Sequence, residues 1–236
     1  MLTVNIEKDL ADFRLRIAFE LDNRILVLWG PSGAGKTTTL ECLAGLRKPD
    51  RGEIMLQEQV LYSSSARLDL PARLRHIGYL FQDHNLFPHM TVEQNIKYGI
   101  PKIQGKQRTA NHRELMEQFG IQHLGGRYPH QISGGERQRA ALIRALVTEP
   151  RLLLLDEPFS SLDQQAHVSL RDTIRELHAQ WNIPVIVVTH DQGDAEQLGH
   201  TVITLDRGAQ IAAGQYPGTS GDNPRQPSFY AGRLSQ

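Results

Sequence analysis

Residues 30–37, GPSGAGKT, have the types and spacing needed to hold phosphate groups. They fit the pattern G-x-x-x-x-G-K-[ST], with an apolar segment before them and a helix-like segment after them, which argues against a chance glycine-rich turn. Glycine lets backbone amides curl around phosphate oxygens without a Cβ clash, and Lys36 adds a positive charge. Thr37 offers a hydroxyl to Mg²⁺, and Thr38 can reach an α-phosphate. The predicted phosphate-binding residues are Gly30, Pro31, Ser32, Gly33, Ala34, Gly35, Lys36, Thr37 and Thr38.

Two carboxylates end the apolar segment LLLLDEP at residues 152–158. This pattern places Asp156 and Glu157 at the carboxyl end of a buried strand, where α/β proteins assemble their sites. We expect Asp156 to hold Mg²⁺, directly or through water, and Glu157 to orient and deprotonate an attacking water. The alternative is an Asp-Glu pair that only caps the next helix. A phosphate loop in the same chain favours the catalytic interpretation.

Two further polar side chains follow strand-like segments. His190 ends the segment VIVVTH and so, like Asp156 and Glu157, is expected at the carboxyl end of a buried strand. There it can hydrogen-bond a γ-phosphate and respond to its departure. Gln82 follows GYLF, and its side-chain carbonyl suits Mg²⁺ or the water that attacks the phosphate. A structural role is the alternative for both residues, since the chain contains 10 histidines and a lone glutamine is unremarkable.

A second candidate anion site lies in YPHQISGGERQRA, residues 128–140. A serine and two glycines there open onto a helix-like segment. The free N–H groups and the positive end of a helix both attract anions. One nucleotide needs only one such junction, so these residues by themselves leave the purpose of the second unexplained.

The elements that must position these residues form a parallel α/β core. Runs of Leu, Ile and Val without alternation are typical of parallel strands that are covered on both faces. Between Asp83 and about Gln131 the strand pattern disappears and short helices are expected, which indicates a helical insertion at about residues 83–135. The predicted helices are Thr37–Leu46, Glu136–Thr148, Gln164–Trp181 and Gln192–Gly199, and the predicted strands include Leu2–Ile6, Phe13–Phe19, Arg24–Gly30, Arg151–Leu155, Pro184–Thr189, Val202–Leu205 and Gln210–Ala213.

Composition narrows the class of protein. The chain has 236 residues, with 26 basic and 26 acidic side chains, so no overall charge attracts it to nucleic acid or anionic lipid. Cys42 is the single cysteine and excludes an internal disulfide. The N-terminal segment alternates and carries acidic residues, unlike a signal peptide. No apolar segment approaches the roughly 20 residues that span a bilayer, so the chain taken alone is predicted to be soluble.

In chain order, the motifs resemble the nucleotide-binding subunit of ATP-binding cassette (ABC) transporters. The series is the phosphate loop, Gln82, ISGGERQR, LLLLDEP, SSLD and VTH, and the resemblance covers roughly residues 2–215. It implies a single ABC ATPase domain over residues 1–215, with a P-loop NTPase core of ABC type. That core has a mostly parallel sheet, an N-terminal antiparallel β subdomain and the inserted helical subdomain. The resemblance also implies hydrolysis of ATP with Mg²⁺.

The same resemblance accounts for the second anion site. In this family ISGGE is the signature motif, and it binds the γ-phosphate of ATP held by the other subunit of a head-to-tail dimer. It implies that Ser133, Gly134 and Gly135 donate hydrogen bonds across the dimer. Glu136 stands beside them where the family more often has glutamine, and we expect activity to survive this difference. Asp163 of SSLD matches the loop that touches the opposite phosphate loop, with a solvated helix N-cap as the alternative.

Adenine recognition depends on one aromatic residue. The family usually stacks adenine on an aromatic side chain upstream of the phosphate loop, and Phe13 is the candidate here. Such stacking is worth about 1–3 kcal/mol by analogy with base–aromatic contacts. The alternative is that Phe13 belongs to the core.

A membrane partner is also implied. The segment FQDHNLFPHMTVEQNI resembles the stretch that meets permease coupling helices in bacterial importers for molybdate, sulfate, iron, polyamines and maltose. Its predicted contact patch is Phe87, Pro88, His89 and Met90, with ordinary helical packing as the alternative. The resemblance implies a peripheral position on the cytoplasmic face of the inner (plasma) membrane, separate permease subunits and a solute-binding protein, and no nucleic acid. Residues 216–236 are expected to form a tail without an additional regulatory domain.

Other classes of ATPase fit the sequence less well. DNA-repair and chromosome-organising relatives usually separate the phosphate loop from the signature by long coiled coils, whereas Lys36 and Ser133 are 97 residues apart (133 − 36) with no heptad pattern between them. Ribosome-acting factors resemble two cassettes in one chain. A small-molecule kinase has no need of SGGE, and a non-catalytic binding module does not need Glu157 and His190.

Overall fold

The computed structural model describes residues 1–100, 102–103, 106–107, 112–160 and 162–215. The strands are β1 (Leu2–Asp9), β2 (Arg14–Leu21), β3 (Ile25–Trp29), β4 (Arg51–Leu56), β5 (Gln59–Ser63), β6 (Leu68–Asp69), β7 (Ile77–Leu80), β8 (Lys102–Ile103), β9 (Lys106–Gln107), β10 (Leu152–Asp156), β11 (Val185–Thr189), β12 (Thr201–Asp206) and β13 (Ala209–Gln215). The helices are α1 (Lys36–Ala44), α2 (Val92–Tyr98), α3 (His112–Gln118), α4 (Gly134–Leu146), α5 (Gln164–Trp181) and α6 (Gln192–Leu198). The described residues form two compact units, one within the ranges Met1–Arg75 and Asn182–Gln236 and the other within His76–Trp181. The predicted tail, 216–236, lies outside the described residues.

The described part of the first unit contains a mixed sheet in the order β6-β5-β4-β1-β2-β13-β12-β3-β11. Strands β12, β3 and β11 run parallel, and β3 and β11 are apolar along their length because both faces are covered. Strands β1 and β2 form an antiparallel hairpin, with an alternating burial pattern in β2. The predicted α/β class and parallel core are confirmed. The N-terminal antiparallel strands belong to the same sheet, which β2 joins through β13.

The second unit holds the parallel strands β7 and β10 and helices α2 to α5. Helix α4 packs against α2, α3 and β7, and its buried face includes Ala141, Leu142 and Ile143. The prediction that residues 83–131 contain no strand is wrong at β8 and β9, which form a small antiparallel hairpin. Strands of two residues are too short to leave an alternating pattern in the sequence.

No helix within the described ranges has both the length and the apolar character needed to cross a membrane.

A buried arginine closes the C-terminal end of α1. Arg75 has 0% exposure, and its guanidinium donates to the carbonyl oxygens of Cys42 and Leu43, each at 2.8 Å. It also donates to the carbonyl oxygen of Leu70 at 2.7 Å and to the Asp69 carboxylate at 2.8 Å. The last carbonyls of a helix lack partners within the helix, and this buried side chain supplies a hydrogen bond to two of them.

We expect Arg75→Met to lower the free energy of unfolding by at least about 1–3 kcal/mol, the cost of one buried polar group left without a partner. Chemical denaturation with far-UV circular dichroism measures this change. Arg73→Met is the matched control, because Arg73 lies two residues away and is exposed. Equal stability of the two variants would contradict a structural role for the Arg75 hydrogen bonds.

Candidate active site

The phosphate loop connects β3 to α1 in the first unit. Gly30 has φ 153°, and a Cβ there would lie 2.1 Å from the carbonyl oxygen of Leu205. Gly35 has φ 103° and occupies the N-cap of α1, so no side chain there takes up the N–H groups of the first helical turn. These N–H groups and the positive helix end can therefore face an anion. Both glycine positions exclude a larger residue, for steric reasons at Gly30 and conformational reasons at Gly35.

The side chain of Lys36 extends back across the phosphate loop to the first two residues of the loop. Its side chain is buried, with the residue 5% exposed, and its ammonium group donates to the carbonyl oxygens of Gly30 at 2.7 Å and Pro31 at 2.9 Å. These contacts hold the start of the loop against the start of α1. Next to it, Thr37 is exposed and Thr38 is half-buried. Ser32 and Gly33 of the loop are exposed. The arrangement keeps a positive charge inside a ring of backbone groups and leaves hydroxyls accessible.

Phe13 lies beside this loop. A Cβ built on Gly35 would be 3.6 Å from the Phe13 ring, and one on Gly208 would be 2.4 Å from it. The ring is half-buried, so it both packs against the backbone of Gly208 and keeps a part open to solvent. The structure thus brings the predicted adenine-stacking residue next to the phosphate loop, and its packing also matches the alternative core role.

His190 follows β11 directly and is exposed at the end of the strand. The neighbouring strand β3 contributes Trp29, whose indole N–H donates to the carbonyl oxygen of His190 at 3.2 Å. The hydroxyl of Thr189 accepts the N–H of Asp191 at 3.1 Å. His190 therefore stands at the carboxyl edge of the parallel strands, as predicted, on a turn held from both sides.

The second unit contains the predicted acidic strand end. Asp156 is the last residue of β10 and is 3% exposed, and Glu157 follows it. Leu155 is paired with Leu80 of the parallel strand β7. Gln82, two residues after Leu80, therefore lies at the same carboxyl edge of this strand pair as Asp156. The structure thus brings Gln82, Asp156 and Glu157 to one edge. The hydroxyl of Tyr79 donates to the Asp156 carboxylate at 3.2 Å.

The backbone of Glu157 is in the left-handed region, with φ 47°. This conformation costs free energy in a residue with a side chain, and such residues are concentrated at functional sites. The carbonyl oxygen of Glu157 accepts hydrogen bonds from the N–H and the hydroxyl of Ser160, at 3.3 and 3.1 Å. The turn that follows the strand therefore holds the backbone of Glu157 in place.

The signature segment begins α4 with reciprocal capping. The Ser133 hydroxyl accepts the N–H of Glu136 at 3.3 Å, and the Glu136 carboxylate accepts the N–H of Ser133 at 2.7 Å. This backbone hydrogen bond is the largest cause of the lowered pKa of Glu136. Ser133 is exposed, and Gly134 and Gly135 are half-buried, so the helix end is accessible. Glu136 already places a negative charge at the predicted phosphate site.

Asp163 caps α5. Its carboxylate accepts the N–H of Ala166 at 2.8 Å, and it is exposed. The helix N-cap that the sequence left open as an alternative is therefore present.

A groove of about 420 Å³ lies on the second unit. Its lining includes Tyr79, Phe81, Phe87, Tyr98 and Arg144. Of the predicted contact patch, Phe87 lines the groove, while Pro88 and His89 are exposed and Met90 is half-buried.

One half-buried and one buried side chain, Arg144 and Asn95, hold the segment that carries this patch. Arg144 of α4 donates to the carbonyl oxygens of His84 at 2.9 Å and Asn85 at 2.8 Å, and its guanidinium carbon lies 5.5 Å from the centroid of the Phe87 ring. Asn95, with 0% exposure, bonds both the N–H and the carbonyl oxygen of Phe87. The Phe87 side of the groove is consequently held in shape by the protein itself.

The sequence matches the ABC transporter family over residues 16–160, more than half of the chain. The chain belongs to the ABC transporter family. As a member it is an ABC-type ATPase that binds ATP, and the sequence-based recognition is confirmed.

Curated relatives cover most of this ABC-type chain. The molybdate/tungstate import ATP-binding protein WtpC of Archaeoglobus fulgidus is 42% identical over 214 residues, which are 91% of this chain and 87% of that protein. The molybdenum import ATP-binding protein ModC of Pseudomonas fluorescens is 40% identical over 86% of this chain. The chain spans only 57% of that relative's length. A probable sulfate/thiosulfate import ATP-binding protein CysA of Chlorella vulgaris is 42% identical over 91% of this chain.

Solved structures support the fold. A dimeric post-hydrolysis state of the ATP-binding cassette MJ0796 with ADP and phosphate bound has a TM-score of 0.78 at 26% identity, and covers 92% of this chain and 100% of that one. The ABC-type fold predicted from the motifs is therefore confirmed.

Sequence reasoning missed the residues that hold the site residues in place. Tyr79, Trp29 and Arg144 each contact a functional segment that is distant in sequence. Of these three residues, only Tyr79 has a signal in the sequence, because it lies within the GYLF segment that precedes Gln82. Trp29 precedes the phosphate loop directly, but nothing local indicates that its indole reaches His190.

Proposed function

We propose that this chain is the ATP-hydrolysing subunit that drives import of a small oxyanion, of the molybdate or sulfate type, through separate permease subunits. The observation that carries the import assignment is that relatives 35–42% identical to this chain are named as import ATP-binding proteins. The geometry of the phosphate loop also supports the ATPase assignment, because Lys36 is buried there among backbone carbonyls. The proposed location is the cytoplasmic face of the inner (plasma) membrane, through contact with the permease.

In the proposed reaction the phosphate loop binds the β- and γ-phosphates. Lys36 supplies positive charge, and the N–H groups that begin α1 supply hydrogen bonds. Glu157 accepts a proton from the attacking water, and His190 hydrogen-bonds the γ-phosphate. Phe13 stacks on adenine.

The residues proposed to hold Mg²⁺ fit this ion. Asp156, Thr37 and Gln82 offer a carboxylate, a hydroxyl and an amide oxygen, and oxygen donors are the ligands that Mg²⁺ prefers. When bound with ATP, Mg²⁺ neutralises negative charge on the phosphate oxygens. The hydroxyl of Tyr79 holds one oxygen of Asp156 and so orients this carboxylate.

A second copy of the chain completes each site in this proposal. Ser133, Gly134 and Gly135 bind the γ-phosphate of ATP held by the other copy, and Asp163 contacts the opposite phosphate loop. The exposed N-terminal end of α4 supports this role, as does the dimer in the related cassette. ATP then favours the closed dimer, and hydrolysis releases it.

We expect Ser133→Arg to bind ATP normally but to remain a monomer with ATP, because a long cationic side chain fills the space of the γ-phosphate of the other copy. Nucleotide titration measures binding, and light scattering after size-exclusion chromatography, in the Glu157→Gln background, measures the dimer. Ser169→Arg is the matched control, since Ser169 lies on an exposed position of α5. If Ser133→Arg still formed a dimer with ATP, the signature segment would not lie at the dimer interface.

The permease is proposed to contact the groove and the patch Phe87, Pro88, His89 and Met90. Four aromatic rings line the groove, and Tyr98 is 65% exposed, so an apolar partner segment would cover a surface that water now contacts.

The test is to isolate the chain from native membranes in mild detergent and identify its partners by mass spectrometry. We expect a multi-span permease and a solute-binding protein. Phe87→Ala should reduce recovery of the permease, whereas Tyr128→Ala, which removes an exposed ring outside the groove lining, should not. In liposomes, molybdate or sulfate should stimulate ATP hydrolysis by the complex. Recovery with only DNA-bound or ribosomal proteins would overturn the transport assignment while leaving the ATPase chemistry intact.

A further inference from the structure

The peptide group that follows His190 is held at both of its ends. Its carbonyl oxygen, that of His190, accepts the indole N–H of Trp29 at 3.2 Å. Its N–H, that of Asp191, donates to the hydroxyl of Thr189 at 3.1 Å. A peptide group is planar, so fixing both the C=O and the N–H fixes the orientation of the whole plane. The backbone rotation at His190 that would turn its side chain away is therefore restrained.

The two side chains that do this, one a donor and the other an acceptor, come from adjacent parallel strands. Trp29 ends β3 and is paired with Thr189, the last residue of β11. The indole reaches one residue further, to the carbonyl oxygen of His190. Along the chain Trp29 is followed by Gly30, where the phosphate loop starts. One side chain thus connects the start of the phosphate loop to the turn that carries His190.

The other side of the turn is fixed by α6. The Asp191 carboxylate accepts the N–H of Asp194 at 3.0 Å and so caps this helix. The hydroxyl of Thr189 also donates to the carboxylate of Asp194, which is 2% exposed, at 3.4 Å. Helix α6 thus restrains the turn at Asp191. The Trp29 hydrogen bond restrains the same turn from β3, the strand that leads into the phosphate loop.

We propose that Trp29 is a positioning residue for ATP hydrolysis, whose indole N–H sets the orientation of His190. The proposal rests on the function proposed above, in which His190 contacts the γ-phosphate. Phenylalanine or leucine at position 29 fills the space of a strand end but has no hydrogen to donate to the His190 carbonyl. The contribution of Trp29 therefore acts through one hydrogen bond and through His190, and not through binding of ATP.

The test is a double-mutant cycle on the purified chain, with kcat of ATP hydrolysis and ATP affinity measured separately. Trp29→Phe should lower kcat about three- to tenfold, the range that corresponds to one net hydrogen bond, with ATP affinity unchanged. In the His190→Ala background, Trp29→Phe should cause no further loss, because the residue that it positions is absent. Trp181→Phe is the matched control and should retain full kcat, since Trp181 ends α5 and is the second of the two tryptophans.

Thr189→Val provides an independent variant, since it removes the acceptor for the Asp191 N–H at nearly constant volume. Its loss of kcat should also vanish in the His190→Ala background. If the losses of Trp29→Phe and His190→Ala multiply, or if Trp29→Phe retains full kcat, Trp29 does not act through His190 and the inference is overturned. If His190→Ala itself retains full kcat, the role of His190 in the proposed function fails, and the inference fails with it. These two failures are distinguishable from the His190→Ala single variant.

Discussion

Glu157→Gln is expected to bind ATP and to lose almost all turnover. The substitution keeps the shape of the side chain and removes the carboxylate that we propose accepts a proton from water, and a positioned general base contributes about 10²–10⁴-fold to a rate. With hydrolysis blocked, ATP should hold two copies together, so the variant should elute as a dimer with ATP and as a monomer without it. Phosphate release measures turnover, and light scattering measures the dimer.

The chain offers a close control for this variant. Glu149 also has a left-handed backbone, with φ 51° against 47° for Glu157, and it is exposed. Glu149→Gln therefore makes the same chemical change on the same backbone conformation away from the strand end of Asp156, and it should hydrolyse ATP normally. Rapid hydrolysis by Glu157→Gln would exclude Glu157 as the base. Equal loss in both variants would indicate a conformational effect of the substitution.

Lys36→Ala is expected to lose affinity for ATP itself. The ammonium group is buried and lies against the loop carbonyls of Gly30 and Pro31, so its removal takes away both a charge for the phosphates and two contacts that shape the loop. A hydrogen bond to a charged group is worth about 1.5–3 kcal/mol, which corresponds to about a 10- to 150-fold weaker Kd. Isothermal titration with ATP and Mg²⁺ measures this change.

Lys48→Ala is the control for the loss of a lysine charge, because Lys48 is exposed and lies outside the loop. It should bind ATP like the unmodified chain. The thermal unfolding midpoint of Lys36→Ala separates a binding defect from a folding defect. Normal ATP affinity in a folded Lys36→Ala variant would exclude the phosphate loop as the main nucleotide site.

Much of the local structure could be predicted because its cause is local. Helix α5 has the predicted bounds, Gln164–Trp181, since an amphipathic period over 18 residues is unambiguous. The buried strands β10 and β11 were recognisable as short apolar runs that end in polar residues. Helix α1 begins one residue earlier than predicted, at Lys36, and helix α4 begins two residues earlier, at Gly134, because a glycine-containing start weakens the helical pattern.

The hydrogen bonds that support the site residues could not be predicted in the same way. Trp29 and His190 are 161 residues apart, and Tyr79 and Asp156 are 77 apart, so each contact exists only once the strands are aligned. Arg75 has an ordinary sequence context, yet folding places it with 0% exposure at the end of α1. The hairpin of β8 and β9 is likewise set by pairing and not by composition.

The sequence by itself determined which chemistry this chain can perform. The phosphate loop, the acidic strand end and the signature segment are each contiguous, so their residue types and spacing are sufficient to predict an ABC-type ATPase. Only the tertiary structure decided how individual groups are held. It placed the Tyr79 hydroxyl on the Asp156 carboxylate, the Arg144 guanidinium on the His84 carbonyl and the Trp29 indole on the His190 carbonyl. The physical reason is that a motif depends on neighbours along the chain, whereas the orientation of a side chain depends on partners that folding brings together.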